Sequence, residues 1–310
     1  MTIVVTEGLE AVPMAWLKSH ANVVEVKWTQ TAELHAALHT ADALIVRTYT
    51  QVNDALLAHG PKLRAVGRAG VGLDNIDIPA CERRNIKVLS TPTANTRAVV
   101  EYVFNLLFHL GRPLVHLPVP IPAEQFHGYR KSIRGLELAG KTMGILGMGN
   151  IGRGVGKVAW AFGMKVIYND LLDVARRLDF PAAAVSKEEL YAAADVLTLH
   201  VNHQPNNLNH HLVDARAISL MKPAAYLINT CRGEVLDAAA LAAALTEHRL
   251  AGAAVDVHEP EPPPAEYPLW HVGAGANLIL APHLAARTQG AMDAMSWVGR
   301  DVVEYLGAHT

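Results

Sequence analysis

Three places in the second half of the chain put ionisable side chains in the stretch that follows a short apolar run. Tyr226 to Ile228 leads into Asn229-Thr230-Cys231-Arg232-Gly233, and Ala253 to Val255 into Asp256-Val257-His258-Glu259-Pro260-Glu261-Pro262. Leu278 to Leu280 leads into Ala281-Pro282-His283. Arg232 offers a planar fork that grips a carboxylate bidentately. His283 can exchange a proton with a hydroxyl, and Glu261 can orient the imidazole and stabilise its charged form. Taken singly, each has an ordinary alternative. Arg232 can be a surface salt-bridge partner, His283 a loop histidine beside its proline, Glu261 a solvated charge in a proline turn. At the ends of successive strands they form a set, because open α/β sheets bind ligands at the carboxyl ends of their strands.

A second signal lies upstream, in MGILGMGNIG at residues 143 to 152. The apolar run Met143 to Leu146 enters three spaced glycines and then a helical pattern from Ile151, which reads as strand, tight turn, helix. Gly147 permits the turn, Gly149 lets a pyrophosphate approach bare backbone, and Gly152 lets helix and strand pack closely. Phosphates then meet free N–H groups and the positive end of the helix dipole. Glycine turns are common, so the motif needs context. It has it: Asp170 ends the next apolar strand 18 residues past the third glycine, close to the roughly 20-residue spacing at which an acid binds ribose hydroxyls. An acid there repels a 2′-phosphate, so the expected cofactor is NAD. Leu171 and Leu172 follow instead of arginines. The alternative for Asp170 is a solvated residue at a strand end.

The elements that must position these groups form two series. Residues 2–6, 22–26, 42–47, 64–68 and 86–89 read as buried strands, with helices between them that include 31–39 and 77–84. A long helical pattern covers 94–110. Pro113, Pro118, Pro120 and Pro122 then predict an irregular segment to about Arg134. From Lys141 a second series begins, with six strands near 143–147, 164–169, 195–199, 224–229, 252–257 and 277–281, as suits a doubly wound sheet. Ser186 and Glu189 form a capping box, and 288–306 reads as one amphipathic helix.

A chain of 310 residues, 51% hydrophobic and 18% charged, suggests about two globular domains. No apolar run approaches the roughly 18 residues of a membrane span, and the N-terminus reads as a strand rather than a leader. The expectation is a cytoplasmic protein. Cys81 and Cys231 cannot build a disulfide framework. A formal charge of −2 without a basic block argues against nucleic acid or membrane as partner.

Six blocks in this order resemble the NAD-dependent D-isomer-specific 2-hydroxyacid dehydrogenases, and within them the 3-phosphoglycerate dehydrogenase branch. They are VGRAGVGLDNID (66–77), TPTANTRAVVEY (91–102), RGLELAGKTMGILGMGNIG (134–152), INTCRGEVLD (228–237), AAVDVHEPEP (253–262) and APHLAARTQGA (281–291). The resemblance implies two Rossmann-like or flavodoxin-like α/β domains with doubly wound parallel sheets, the cofactor domain inserted in the substrate domain. The substrate domain would be 1–97 plus 288–310 and the NAD-binding domain 98–287, with the active site in the cleft between them. It implies catalytic roles for Arg232, Glu261 and His283. Cofactor contacts would come from Gly147, Gly149, Asn150, Ile151, Gly152, Asp170, Val201, Thr230 and Cys231, with Asp256 on the carboxamide. Substrate would be bound by Arg47 and Arg68 and by the Val71 and Gly72 N–H groups. The implied activity is hydride transfer between NAD(H) and a D-2-hydroxy acid or 2-oxo acid of the 3-phosphoglycerate or glyoxylate/hydroxypyruvate type, in a homodimer.

The chain also departs from the family. His200-Val201-Asn202-His203 stands where His-x-Pro-Leu is usual, Gln51 stands where a lysine is common, and 111–130 is proline-rich. The expectation from these 310 residues is an enzyme without the regulatory domain of some phosphoglycerate enzymes. Two other functions are weighed. An NAD-sensing corepressor of the same fold can also retain the Arg, Glu and His set, whereas formate oxidation would need glutamine at Glu261. His203, His210 and His211 read as a polar loop rather than a metal site, since no carboxylate accompanies them. Trp160, Trp270 and Trp297 read as packing residues.

Overall fold

The computed structural model describes residues 1–112, 114, 119–132, 134–202 and 208–308. The expectations for Pro113, Pro118 and His203 fall outside the described residues. The chain divides into two compact units, one of Met1–Ala98 with Ala286–Thr310 and the other of Val99–Ala285.

The first unit alternates β1 (Thr2–Val5), α1 (Ala11–His20), β2 (Asn22–Glu25), α2 (Thr31–Leu38), β3 (Ala43–Val46), α3 (Asp54–Leu57), β4 (Ala65–Arg68), α4 (Ile78–Arg83) and β5 (Lys87–Ser90). Its five strands are all parallel in the order β2-β1-β3-β4-β5, the flavodoxin-like winding. Successive side chains on a strand face opposite layers, so a sheet buried on both sides needs apolar residues at every position. In β3, Leu44 and Val46 pack with Leu34, Leu38 and Leu57, while Ala43 and Ile45 pack with Leu17, Val298 and Val302.

α5 (Thr96–Gly111) carries the chain into the second unit. There follow α6 (Ala123–Ser132), β6 (Thr142–Leu146), α7 (Asn150–Ala161), β7 (Lys165–Asn169), β8 (Ala183–Ala184), α8 (Lys187–Ala193), β9 (Val196–Leu199), α9 (Ala215–Leu220), β10 (Tyr226–Asn229), α10 (Ala238–Thr246), β11 (Gly252–Val255) and β12 (Leu278–Leu280). The sheet order is β12-β11-β10-β9-β6-β7-β8, all parallel. Counted from β6, this is the 3-2-1-4-5-6 Rossmann winding with one more strand at the edge. The order reverses between β6 and β9, and a dinucleotide binds at the carboxyl ends beside such a switch point. α5 and α7 cover one face, and α8, α9 and α10 the other.

Three expectations need correction. The segment before Arg134 contains the helix α6, whose face is not apolar enough to betray it: none of its described residues is buried. The second sheet has seven strands, because two exposed alanines add β8 beside β7. The C-terminal stretch is two helices, α11 (Gln289–Ser296) and α12 (Val298–Ala308), divided at Trp297. Of the tryptophans, Trp160 and Trp270 are 47% and 49% exposed, and Trp270 packs edge-on against Tyr267.

Candidate active site

At the carboxyl end of β6 the glycines divide as their chemistry requires. Gly147 has φ 95°, and a Cβ there would lie 2.5 Å from the His200 carbonyl oxygen. A Cβ on Gly152 would lie 2.1 Å from the Gly147 carbonyl oxygen. Gly149, by contrast, faces open space, directly before the first turn of α7, whose N-cap it is. Asp170 follows β7 and accepts from the Met148 N–H (2.6 Å) and the Leu172 N–H (2.9 Å), so it braces the glycine turn. It remains partly exposed, with acceptor capacity to spare. The His200 ring is buried, which pushes its pKa down to about 3 and keeps it neutral. The Thr230 hydroxyl and His200 Nδ1 are buried and have no partner among the described residues. Open space at the helix N-terminus together with orphaned polar atoms at the ends of β9 and β10 fits a bound dinucleotide.

The catalytic candidates follow on the next strands. After β10, Asn229 is fully buried and ties the turn: its Oδ1 accepts from the Cys231 N–H (3.1 Å) and its amide donates to the Arg232 carbonyl (2.9 Å). Burial pushes the Cys231 thiol up to about 11, so it stays protonated. The Val201 N–H also interacts with that thiol, which brings the β9 and β10 loops together. Arg232 is half-buried, and its Nη1 donates to the Cys231 carbonyl at 2.6 Å.

After β11 and β12 the structure joins Glu261 and His283, with Nδ1 to Oε1 at 2.7 Å. An ionised carboxylate only accepts, so Nδ1 carries the proton and Nε2 is left for exchange with a ligand. Burial raises the pKa of Glu261, but the hydrogen bond and charge of His283 and the His258 N–H outweigh it, leaving the carboxyl below its ordinary range. His283 sits at φ 56°, a costly conformation for a non-glycine residue. The cause is Asp256. Its carbonyl accepts from the His283 N–H (2.8 Å), and its fully buried carboxylate accepts from Leu284 (2.7 Å) and Ala285 (2.9 Å). Asp256 thus frames the histidine loop, and desolvation holds its pKa above the usual value.

In the first unit Glu7 organises the loop that carries Arg47. Its carboxylate accepts from the N–H groups of Arg47, Thr48, Tyr49 and Thr50 and from the Thr50 hydroxyl. The Arg47 guanidinium donates to the Gly8 carbonyl (3.1 Å) and reaches Met292 Sδ (3.1 Å). Its pKa is lowered by burial and then by Arg287. Arg68 folds over Gly70, where a Cβ would lie 1.3 Å from its Nη1. Val71 and Gly72 follow at partly buried positions, and neither N–H has a protein acceptor among the described residues.

Residues 104–285 match the model of the D-isomer specific 2-hydroxyacid dehydrogenase NAD-binding domain. The chain belongs to this family. It is 33% identical over 305 residues to a D-3-phosphoglycerate dehydrogenase of Synechocystis, covering 98% of this chain and 53% of that one. It is 40% identical over 266 residues to an (S)-sulfolactate dehydrogenase of Chromohalobacter salexigens, covering 84% and 83%. The fold matches a D-lactate dehydrogenase of Aquifex aeolicus solved with NAD and lactic acid, at a TM-score of 0.79 and 25% identity over 100% and 96% of the two chains. The chain spans about half the length of the D-3-phosphoglycerate dehydrogenases it matches.

Three further positioning residues are apparent from the structure. Gly233 packs so closely on the acidic loop that a Cβ would lie 2.1 Å from the His258 carbonyl oxygen. His258 is buried, with Nε2 2.9 Å from the Ala281 carbonyl and its N–H on Glu261 Oε2 at 3.3 Å, so it fastens Glu261 to the β12 loop. Glu7 is the third. The glycine after Arg232 was a visible signal; a lone Glu after β1 was not.

Proposed function

We propose that the chain is an NAD-dependent oxidoreductase interconverting a D-2-hydroxy acid and its 2-oxo acid. The observation that carries the reading is the Glu261–His283 pair at 2.7 Å, on the same sheet end as Arg232 and the glycine turn. Arg232 binds the substrate carboxylate and polarises the C2 oxygen. In oxidation, His283 Nε2 takes the hydroxyl proton; in reduction it returns one. Glu261 holds the ring and balances its charge. NAD, when bound, supplies the hydride acceptor or donor. Gly149, Asn150 and Ile151 would hold its phosphates, Asp170 its ribose, and Gly147, Gly152, Val201, Thr230 and Cys231 would shape the surrounding pocket.

The substrate we favour carries a second anion at C3. Two relatives are named for such acids, 3-phosphoglycerate and (S)-sulfolactate. Sulfur changes the priority order at C2, so (S)-sulfolactate has the same spatial arrangement as a D-2-hydroxy acid. Arg47 and Arg68 supply cationic groups for that anion, and the Val71 and Gly72 N–H groups supplement Arg232. The exposed aromatics Phe108, Trp160 and Phe162 on and beside α5 and α7 support a homodimer formed through this unit.

The test is reduction by NADH of phosphohydroxypyruvate, sulfopyruvate, hydroxypyruvate, glyoxylate and pyruvate. The two substrates with an anionic group at C3 should give the highest kcat/KM. A preference for glyoxylate or hydroxypyruvate would remove the C3 anion. No turnover on the panel would favour the corepressor reading.

A further inference from the structure

His210 and His211 follow β9 with their rings stacked, centroids 3.8 Å apart and planes 20° apart. Consecutive side chains ordinarily diverge. Here His211 has φ 49°, in the left-handed region that costs a non-glycine residue energy. The result is that two rings share one side of the loop. Both turn Nε2 toward Glu259, His210 at 3.5 Å from Oε1 and His211 at 3.8 Å from Oε2. One donor atom from each of the three residues lies within 4.8 Å of the others. These separations are long for hydrogen bonds. They are close to ligand-to-ligand edges around a tetrahedral ion, about 3.4 Å for bonds of about 2.1 Å.

The surroundings add a second observation. Asp237 Oδ2 lies 3.9 Å behind His211 Nδ1, while its Oδ1 caps α10 through the Ala239 and Ala240 N–H groups. At that distance Asp237 makes no hydrogen bond to the ring but adds a second negative charge beside it. The backbone is anchored by its own bonds: His211 N–H to the Glu234 carbonyl (2.7 Å), Val213 N–H to Val235 (3.0 Å) and Asp237 N–H to Val213 (3.0 Å). Gly233 brings Glu259 alongside, since a Cβ there would lie 2.6 Å from the Glu259 nitrogen. The polar-loop reading of these histidines rested on the lack of a carboxylate; the fold brings one from the β11 loop.

We propose that His210, His211 and Glu259 bind one divalent transition-metal ion of the zinc class, with water completing the shell. Two imidazole nitrogens favour such an ion over magnesium or calcium, which prefer all-oxygen sites. The proposal does not depend on the dehydrogenase reading, and its readout is the bound metal.

The experiment titrates Co²⁺ into the full chain, stripped with a chelator, and follows ligand-field absorption near neutral pH, with Zn²⁺ as competitor. One equivalent of Co²⁺ should bind in a four- or five-coordinate spectrum and be displaced by Zn²⁺. His210→Ala and Glu259→Gln should each weaken binding at least tenfold. His35→Ala should not, although His35 and His59 also stack, at 3.6 Å. The Gln variant is nearly isosteric, and circular dichroism confirms that each variant is folded. An octahedral, aquo-like spectrum overturns the proposal, as does equal affinity in wild type, His210→Ala and Glu259→Gln.

Discussion

Two glutamates, one in each unit, hold loops that present candidate ligand-binding groups, and they do so differently. Glu7 accepts from four backbone N–H groups and a hydroxyl, all from Arg47 to Thr50. Glu261 accepts from one ring nitrogen at 2.7 Å and one N–H at 3.3 Å. Both carboxyls lie below their ordinary range because hydrogen bonds outweigh the opposing effect of burial. The first is saturated by main chain, so its lowered pKa expresses stability. The second has one strong partner, a titratable side chain, so its lowered pKa reflects an ionised carboxylate held against a ring that can itself carry a proton. A perturbed carboxylate therefore marks chemistry only when what perturbs it can itself react.

The largest break in that comparison is His283→Ala. Its kcat should fall roughly 10² to 10⁴-fold with little loss of stability, since the ring is 44% exposed; steady-state kinetics beside a melting curve decide. Near-normal turnover would end the mechanism. Arg232→Ala should cost about a hundredfold in kcat/KM, through KM and kcat together, as expected for a charged bidentate contact made before and during the reaction. An unchanged KM would place the substrate carboxylate elsewhere.

Glu7→Gln should show the opposite pattern. An amide nitrogen would face N–H donors, and the lost bonds should cost about 1 to 3 kcal/mol in urea unfolding. The sign with pH follows from the lowered pKa. The folded value lies below the ordinary value of 4.5, so the contribution is complete above about pH 4.5 and is lost as pH falls through the folded value. Wild type should lose stability there faster than Glu7→Gln, and parallel curves would show that Glu7 is not the group responsible. The smallest effect belongs to Glu261→Gln. It should retain activity, but the decline of carbonyl reduction on raising pH should begin at lower pH, because the charged imidazole has lost its anion. An unchanged pH profile would disconnect the pair.

What the sequence determined by itself were features carried by local pattern. Apolar runs such as Ala43–Val46 and Tyr226–Ile228 read as buried strands, and the spacing of Gly147, Gly149 and Gly152 reads as a strand, a tight turn and a helix. Arg232, Glu261 and His283 stood out as candidates because each lies in the loop that follows such a run. Where burial does not shape the pattern, legibility failed. α6 buries none of its described residues, β8 is two exposed alanines, and the division at Trp297 interrupts an otherwise continuous apolar stripe. Pairings across long sequence separations were decided only by the tertiary structure. Asp256 became the frame of the His283 loop, Gly233 pressed against His258, Glu7 gathered the 47–50 loop, and Glu259 met His210 and His211. The physical reason is that a polar side chain finds its partner wherever the sheet order brings two loops to one end, and that order is set by burial of the strands between them rather than by the polar residues themselves.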